Sequence, residues 1–512
     1  MDPIYSFGLD LGTHRSLMAA KAKDGPVEAI IPSQQECRKG IPSLFWRTAD
    51  RDGGRELLCE QVALEQGEIN DPEGVVRSVK TRLLEQEDIV LHGHRYSPQD
   101  IAAKEVGHVY EISLSEAEER GIFETPAALT VGVPVRFGAA ERSATRAVLA
   151  KALPQLSIQL LPEPMAAALC YAASARRKTR YTLAFDMGAG TFDVCVLEDM
   201  ENDPRQAYPY RQLSHDGSRE AGDLLDERME ELILDKLRRD PGGIDMKSFS
   251  PGSYDLRALR KTAREAKEAL SSAPQFSAIV TSLASHCVQR VTVYREEYEA
   301  RIEPIVRRAV DLAEKALREA QRWMEPDLTV LMVGGSTYIP LVRRLLQERF
   351  PWLDPKTQVV QRLPDQAVAL GCALFAERPL ADRKVRFAYA LKVYRNTTDE
   401  PYLDVRIPEN CQLPYTLSGR YTTRSQAQDG VRMNLFEVDH GRADQQLPLE
   451  AGRFTQLTAR HSFGKPVPKG TPVIITTELN EDGLLTLIAD DGGISPQGVT
   501  RHTFDINRGL DD

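Results

Sequence analysis

Two glycine-bearing turns, each following an apolar strand, decide the fold: AFDMGAGTFDVCVLE at residues 184–198 and GLDLGTHRS at residues 8–16. In the later turn Asp186 closes an apolar run, a Gly-Ala-Gly triplet follows, and Thr191 opens a second run. The earlier turn has the same order, with Asp10 before Gly12. Such a turn cradles phosphate through free backbone N–H groups while its carboxylate reaches a cation. Two similar hairpins in distant parts of the chain indicate two related lobes that face one ligand.

A third glycine turn lies in VLMVGGSTYIP at residues 330–340, after an apolar strand and before a helix. Gly334 and Gly335 allow the backbone to approach a nucleotide closely. Each turn alone is a weak signal, because glycine after a strand usually marks only a turn. Their order and spacing together are more specific. None is a G-x-x-x-x-G-K-[ST] loop or a G-x-G-x-x-G after the first strand, so P-loop and Rossmann folds are disfavoured.

The sequence pattern changes near residue 380. Upstream, strand-like runs such as LTVLMVGGS alternate with helical segments such as IEPIVRRAVDLAEKALREAQRW, which predicts an α/β architecture. Downstream, short strands such as PVIITTEL and GLLTLIADD recur between turns, which predicts an all-β module. The polar stretch ERPLADRK between them predicts a linker. We therefore expect a first domain over residues 1–377, a linker over 378–386 and a β domain over 387–512.

The composition is that of an ordinary globular protein. The 512 residues include 75 acidic and 65 basic side chains, a formal charge of −10, so nucleic acid is not the default partner. Because we find neither a leader pattern nor a long apolar stretch, we expect a cytoplasmic protein without a membrane partner. The cysteines are odd in number and scattered, which favours core thiols over metal or redox roles. They are Cys37, Cys59, Cys170, Cys195, Cys287, Cys372 and Cys411.

Seven motifs in order resemble the ATPase domain of the 70-kDa heat-shock (DnaK-type) chaperones: GLDLGT, DPEGVVRSVKTRL, LTVGVPVRFGAAER, LLPEPMAAALCYA, FDMGAGTFD, VGGSTYIP and LPDQAVALGCAL. The β module resembles that family's peptide-binding sandwich in IPENCQLPYTLSGRYTT and VPKGTPVIITTELNEDGLLTLIADD. The resemblance implies an α/β, actin-like two-lobed ATPase domain followed by a small all-β sandwich. It also implies ATP/ADP and Mg²⁺ as ligands, with K⁺ as a further candidate. The family's helical lid has no counterpart in the sequence, so we expect a lidless member.

The resemblance implies roles for individual residues at the positions that match the family's motifs. Asp10, Asp186 and Asp193 match carboxylates that hold cations around the phosphates. Lys80 matches a lysine that stabilises charge on the transferred phosphoryl group, and Glu163 matches a carboxylate that links magnesium to an interdomain relay. Outside these motifs, Lys80 would more often be a surface lysine and Glu163 a helix-cap carboxylate. The implied catalytic set is Lys80, Glu163, Thr191 and Asp193, and the implied relay is Pro134 and Arg142.

The resemblance also implies nucleotide contacts at the three turns and at the adenosine end. Lys267 and Ser271 match residues that contact the nucleoside, and Asp365 matches an acidic residue near the base. Tyr338 replaces an arginine and could stack on adenine instead. His14 adds a basic group near the phosphates, which either slows product release or points into solvent. The implied nucleotide-binding residues are Gly12, Thr13, His14, Gly188, Ala189, Gly190, Thr191, Lys267, Ser271, Gly334, Gly335, Ser336, Tyr338 and Asp365.

Several differences between this sequence and the family affect which partners we expect for this protein. The linker lacks the aspartate-plus-leucine run that docks in relatives, so docking differs or is lost. Gln159 and Pro162 occupy J-domain-contacting positions, which makes a standard J-domain partner doubtful. A nucleotide-exchange factor remains a candidate partner. In the β module, four apolar side chains either line a peptide cleft or belong to the core: Leu403, Val405, Ile407 and Leu413.

Two functions from different classes follow. The first is a lidless chaperone with slow ATP hydrolysis whose β module binds unfolded or extended polypeptide, or a dedicated protein partner. The second is a regulatory or assembly scaffold that binds a folded partner under the control of ATP, with little or no hydrolysis. A small-molecule kinase of the same superfamily fits the motif spacing and the β module less well. The range of polypeptides that the protein binds distinguishes the first two functions.

Overall fold

The computed structural model describes most of the chain, in two compact units. One unit comprises residues 1–137, 141–199 and 212–378, and the other comprises residues 138–140, 200–211 and 379–512. The described residues are 5–33, 40–49, 54–59, 66–85, 87–124, 126–137, 139–174, 179–200, 210–240, 242–376, 388–395, 400–409, 411, 414–438, 441–480, 484–496 and 498–505. The predicted linker, residues 378–386, lies outside them, so the domain boundaries remain a prediction.

The described part of the chain up to residue 376 alternates strands and helices. Its strands are β1 (Tyr5–Leu11), β2 (Arg15–Ala22), β3 (Val27–Ile30), β4 (Ile41–Pro42), β5 (Leu44–Arg47), β6 (Glu56–Leu58), β7 (Val75–Arg77), β8 (Ile89–Leu91), β9 (His94–Tyr96), β10 (Ala128–Val133), β11 (Ser157–Pro162), β12 (Tyr181–Met187), β13 (Phe192–Asp199), β14 (Tyr210–Ser218), β15 (Gln275–Ser282), β16 (Cys287–Tyr294), β17 (Leu328–Val333) and β18 (Val359–Val360). Its helices are α1 (Glu68–Asn70), α2 (Pro98–Glu119), α3 (Ala139–Ala152), α4 (Glu163–Ser174), α5 (Gly222–Arg239), α6 (Tyr254–Leu270), α7 (Arg295–Glu319), α8 (Pro340–Arg349) and α9 (Ala367–Ala376).

The same sheet arrangement occurs twice in this part of the chain. In the first sheet, β1 forms an antiparallel hairpin with β2 and pairs in parallel with β10, which pairs in parallel with β11. In the second, β12 forms a hairpin with β13 and pairs in parallel with β17, which pairs in parallel with β18. Parallel strands are covered on both faces, and all six residues of β17 are buried accordingly. The predicted α/β architecture with two related lobes is confirmed.

Helices α4 and α9 cross in close contact because Gly371 has no side chain. An ideal Cβ on Gly371 would lie 1.8 Å from the Ala166 carbonyl oxygen of α4. On another side of α9, an ideal Cβ on Gly8 of β1 would lie 2.2 Å from the Ala373 backbone nitrogen. The contact therefore fixes α4, whose first residue is Glu163, relative to strand β1, which contains Asp10.

The second unit contains a two-sheet β-sandwich, as predicted. Its strands are β19 (Ala388–Tyr394), β20 (Pro401–Ile407), β21 (Tyr415–Thr422), β22 (Gln428–Val438), β23 (Gln446–Pro448), β24 (Gly452–Val467), β25 (Pro472–Leu479), β26 (Leu484–Asp490) and β27 (Val499–Asp505). One sheet has the order β23-β20-β19-β22-β24 and the other β21-β25-β26-β27. Leu403, Val405 and Ile407 are each 0% exposed, so these three belong to the core. Leu413 lies outside the described residues.

The described cysteines are free thiols with buried or partly buried side chains. Cys59, Cys195 and Cys372 are buried, whereas Cys170, Cys287 and Cys411 are partly buried. Cys37 lies outside the described residues. No helix among the described residues is both long enough and apolar enough to cross a membrane.

We expect Gly371→Ala to destabilise the first unit by about 2–4 kcal/mol, since the added methyl group must displace the backbone of α4. The measurement is urea unfolding followed by tryptophan fluorescence, because Trp46, Trp323 and Trp352 all lie in that unit. The matched control is Gly107→Ala in α2, where nothing lies within 4 Å of the new Cβ. This control should be neutral or stabilising by about 0.5–1 kcal/mol. Equal effects of the two substitutions would contradict the helix contact.

Stability should also depend on pH through Glu105, a buried residue of α2 that is 7% exposed. Its Oε1 atom has no hydrogen-bond partner among the described residues, and burial raises the pKa of Glu105 to about 8. Between about pH 4.5 and pH 8 the folded state keeps a proton that the unfolded state has lost. Stability should therefore fall as pH rises through this window, at up to about 1.4 kcal/mol per pH unit. Urea unfolding of Glu105→Gln should show a shallower slope, because the contribution of Glu105 is removed while that of other carboxyl groups with raised pKa values, such as Asp10, remains. An unchanged slope would contradict the assignment.

Candidate active site

The first turn, residues 12–14, connects β1 to β2 and is held through its carbonyl groups. An ideal Cβ on Gly12 would lie 2.1 Å from the Arg15 carbonyl oxygen, so a larger residue does not fit there. The Ser43 hydroxyl donates to the Gly12 carbonyl at 2.9 Å, and Lys80 Nζ donates to the Leu11 carbonyl at 2.7 Å. The Gly12 carbonyl and the Leu11 carbonyl that precedes the turn thus both accept hydrogen bonds from side chains.

The second turn, residues 188–191, connects β12 to β13 and adjoins the start of α5. The Gly188 N–H donates to the Thr191 carbonyl at 3.0 Å, which closes the turn. The first N–H groups of α5 bind its carbonyls: Gly222 N–H donates to Gly188 at 3.0 Å and Asp223 N–H to Ala189 at 2.7 Å. An ideal Cβ on Gly222 would lie 2.8 Å from the Gly188 oxygen, so this approach requires glycine.

The first two turns face each other. An ideal Cβ on Gly190 would lie 3.4 Å from the Thr13 methyl carbon, which is van der Waals contact. Beside them, His14 Nε2 lies 3.1 Å from Asp223 Oδ1. Burial acts to raise the pKa of Asp223, but the hydrogen bond and charge of His14 lower it below the ordinary aspartate value. His14 therefore contacts the N-terminal turn of α5 instead of only solvent.

The third turn meets the second at Gly334, which has a φ angle of +82°. An ideal Cβ there would lie 2.5 Å from the Met187 carbonyl oxygen and 2.6 Å from Asp186 Oδ1. The Ser336 hydroxyl donates to the Gly188 carbonyl at 3.1 Å. All three glycine turns found in the sequence thus meet at one place.

Four carboxyl groups gather where the turns meet, and their electrostatics are unfavourable. Burial, then the nearby charge of Glu163, raises the pKa of Asp10 to about 7, although Lys80 opposes this. Burial, Glu163, Asp193 and Asp10 together raise the pKa of Asp186 well above the ordinary value. Burial also raises the pKa of Asp193, with Arg136 opposing. Positive charge placed here would be stabilised.

Lys80 is a basic group whose charge acts on the aspartates of this cluster. Its Nζ lies 2.9 Å from Glu163 Oε1, and the side chains are only 14% and 16% exposed. The same Nζ lies 5.8 Å from the centroid of the Phe137 ring. With the Leu11 carbonyl bond, these contacts hold the ammonium group in a single position.

The predicted relay residues contact the turn that follows β10. The Pro134 carbonyl accepts a hydrogen bond from Phe137 N–H at 3.0 Å, and Arg142 Nε donates to the Phe137 carbonyl at 3.1 Å. Arg142 is only 3% exposed. Pro134 and Arg142 therefore both bind the residue whose ring lies next to Lys80.

The four predicted adenosine-side residues form two pairs of contacts. Lys267 Nζ lies 2.6 Å from Asp226 Oδ1, and the Ser271 hydroxyl donates to the Lys267 carbonyl at 3.3 Å. The Tyr338 hydroxyl donates to Asp365 Oδ1 at 3.1 Å, and Tyr338 is 44% exposed. An exposed ring held by its hydroxyl group offers a face to a planar ligand.

Three residues of this region were missed by sequence reasoning: Arg136, Asp223 and Asp226. Arg136 Nε lies 3.7 Å from Asp193 Oδ1, and the two aspartates pair with His14 and Lys267. The one available signal was the position of Arg136, two residues after Pro134 in a quoted motif. Nothing local in the sequence marked the two aspartates.

The carboxylates fit a magnesium ion that is bound together with phosphates, but not a metal held by the protein alone. Within the described ranges, no three His, Cys, Asp or Glu side chains are placed to hold one metal ion. Mg²⁺ usually keeps several waters and binds through one or two carboxylates plus substrate phosphates. Asp10, Asp186 and Asp193, which lack enough positive charge around them, suit that arrangement.

Comparison with known proteins identifies the family. The family model described as "Hsp70 protein" matches residues 70–500. The chain belongs to the Hsp70 family. It is 27% identical to the chaperone protein DnaK of Thermosipho melanesiensis over 99% of this chain and 83% of the relative. It is 28% identical to the chaperone protein DnaK of Thermotoga maritima over 95% of this chain and 78% of the relative.

Hsp70 proteins are ATP-dependent chaperones that bind ATP or ADP with Mg²⁺ and hydrolyse ATP. The actin-like two-lobed ATPase fold and the β-sandwich expected from the motifs are those of the family. The low identity to both DnaK relatives marks this chain as a divergent Hsp70.

We expect binding of Mg²⁺ and ADP near pH 7 to release protons, because a cation favours the ionised form of Asp10, whose pKa is about 7 without it. The release should appear as a dependence of the calorimetric binding enthalpy on the ionisation enthalpy of the buffer. Asp10→Asn should reduce the release, whereas the control Asp24→Asn, at an exposed position, should not. Identical enthalpies in all buffers would contradict the prediction.

Proposed function

We propose that this Hsp70 protein binds ATP with Mg²⁺ where the three turns meet and hydrolyses it slowly. The observation that carries the proposal is the group of Asp10, Glu163, Asp186 and Asp193 at facing glycine turns, with raised pKa values on the three aspartates. Such a group is costly in the empty site and favourable once a magnesium nucleotide supplies positive charge. The same arrangement would be hard to explain as a structural core.

The turns supply the phosphate contacts in this proposal. Backbone N–H groups at Gly12 and Thr13, and across residues 189–191, would bind the phosphates, and the hydroxyl groups of Thr13 and Thr191 would serve the terminal phosphate. The third turn would also contact the nucleotide, through Gly334, Gly335 and Ser336. The nucleoside then extends towards the two adenosine-side pairs, Lys267 with Ser271 and Tyr338 with Asp365. Tyr338 stacks on the base in place of an arginine.

Lys80 provides the main catalytic charge. Phosphoryl transfer depends on positioning and on stabilising charge in the transition state, and a fixed ammonium group serves both needs. Glu163 and the Leu11 carbonyl keep Lys80 from moving between turnovers. Asp10, Asp186 and Asp193 would hold the cation, and the cation would neutralise charge on the phosphates. Phe137 connects Lys80 to Pro134 and Arg142, the proposed relay.

The β-sandwich is proposed to bind unfolded or extended polypeptide, or one dedicated partner, with an affinity that changes between the ATP and ADP states. Leu403, Val405 and Ile407 do not contribute to this contact because they lie in the core. The alternative function is a scaffold that binds a folded partner under ATP control with little hydrolysis. It draws support from the divergence of the chain from its DnaK relatives.

We expect Lys80→Ala and Thr191→Ala each to slow single-turnover hydrolysis by about 10²–10³-fold while the fold is kept. The matched control is Lys151→Ala, which removes an exposed lysine paired with Asp100 at the surface. Circular dichroism and melting temperature check the fold of all three variants. Turnover equal to that of the unsubstituted chain in both active-site variants would refute the assigned chemistry.

The same assay separates the two functions when it is run with a reduced, unfolded model protein. Faster hydrolysis with the unfolded protein supports the chaperone function. ATP binding together with a hydrolysis rate that the unfolded protein does not change supports the scaffold function. Absence of ATP binding rejects both functions.

A further inference from the structure

A second pocket, separate from the three turns, is lined mainly by arginine. Arg77 from β7 and Arg257, Arg260 and Arg264 from α6 surround a volume of about 340 Å³, together with Glu68. This volume is within the usual range for small-molecule sites. We call this feature the arginine pocket. Four of its seven lining residues are arginine, and Glu68 is the one carboxylate among those seven.

The lining residues are held in place but leave donors unused. Glu68 accepts from Arg264 at 2.8 Å and also pairs with Arg77. Arg257 Nε donates to the Ile69 carbonyl at 2.8 Å, and Arg260 Nε pairs with Glu230 at 2.9 Å. One guanidinium nitrogen of Arg77, Nη2, is buried without a hydrogen-bond partner among the described residues.

The charge of Arg77 is only partly compensated by its neighbours. Burial lowers the pKa of Arg77 and the neighbouring charge of Arg264 lowers it further, whereas Glu68 and, to a smaller extent, Asp223 oppose this. Two guanidinium groups therefore share one carboxylate and repel each other. A bound anion would satisfy the buried donor of Arg77 and reduce the repulsion between the two guanidinium groups.

We propose that the arginine pocket binds a phosphate group, supplied either by free inorganic phosphate or by a second nucleotide. Phosphate fits better than a single halide ion because guanidinium groups bind tetrahedral oxyanions through paired N–H donors. Arg264 precedes Lys267 by one turn of α6, so this site neighbours the proposed nucleotide site without sharing its residues. Phosphate binding in the arginine pocket does not depend on ATP hydrolysis at the proposed nucleotide site.

The test begins with the full chain saturated with ADP and Mg²⁺, so that the proposed nucleotide site is filled. Inorganic phosphate is then titrated and followed by ³¹P NMR line broadening, and a separate arm adds excess ADP and follows it by calorimetry. Saturable phosphate binding identifies free phosphate as the source, and binding of only a second ADP identifies the nucleotide. Either result supports the proposal.

Matched substitutions decide whether that binding occurs in the pocket. Arg264→Gln and Arg260→Gln should each weaken it by about tenfold, since each removes one charged donor. Arg260 is 57% exposed, so its substitution should leave the fold intact. The control Arg228→Gln removes an arginine on α5 paired with Glu231 and should have no effect. No second anion, or binding equal in all variants, would overturn the proposal.

The initial ADP titration keeps this test separate from the proposed function. If ADP binds but no second anion does, only the arginine pocket is rejected. If ADP does not bind at all, the nucleotide proposal fails, and phosphate is titrated into the unliganded chain. Loss of phosphate binding in Arg260→Gln but not in Lys80→Ala would still support the pocket, and the reverse would reject it.

Discussion

The contact between Lys80 and Glu163 is the interaction on which the site depends. Lys80 joins the first turn through the Leu11 carbonyl, the start of α4 through Glu163, and the turn after β10 through the ring of Phe137. Removing its charge would leave Glu163 beside Asp10 and Asp186 with less positive charge among them, an arrangement that burial makes costly. One ammonium group therefore both holds these segments together and balances their charge.

A second constraint is the close approach of backbone to backbone. Gly8, Gly222, Gly334 and Gly371 all occupy positions where a Cβ would lie less than 3 Å from backbone atoms of another segment. The second turn can meet α5 and the third turn only because Gly222 and Gly334 lack side chains. The site is thus placed by rigid strands and helices, which keeps the distances between its charged groups short.

Sequence alone predicted the parts of the site that follow a local pattern. An aspartate at the end of an apolar strand followed by glycine marked Asp10 and Asp186, and the alternation of strands with helices marked the two lobes. The pairings of Asp223 with His14 and of Asp226 with Lys267 were missed, because they depend on where α5 begins relative to distant segments. Leu403 could not be assigned to core or cleft, since alternation in a strand does not reveal what covers each face.

The central claim is that the three turns bind one nucleotide together. Amide hydrogen exchange, measured with and without ADP and Mg²⁺, tests it directly because each turn gives separate peptides. Simultaneous protection of residues 12–14, 188–191 and 334–336 at the same ADP concentration is the predicted result. Protection of only one turn, or of none at ADP concentrations that saturate calorimetric binding, would contradict the claim.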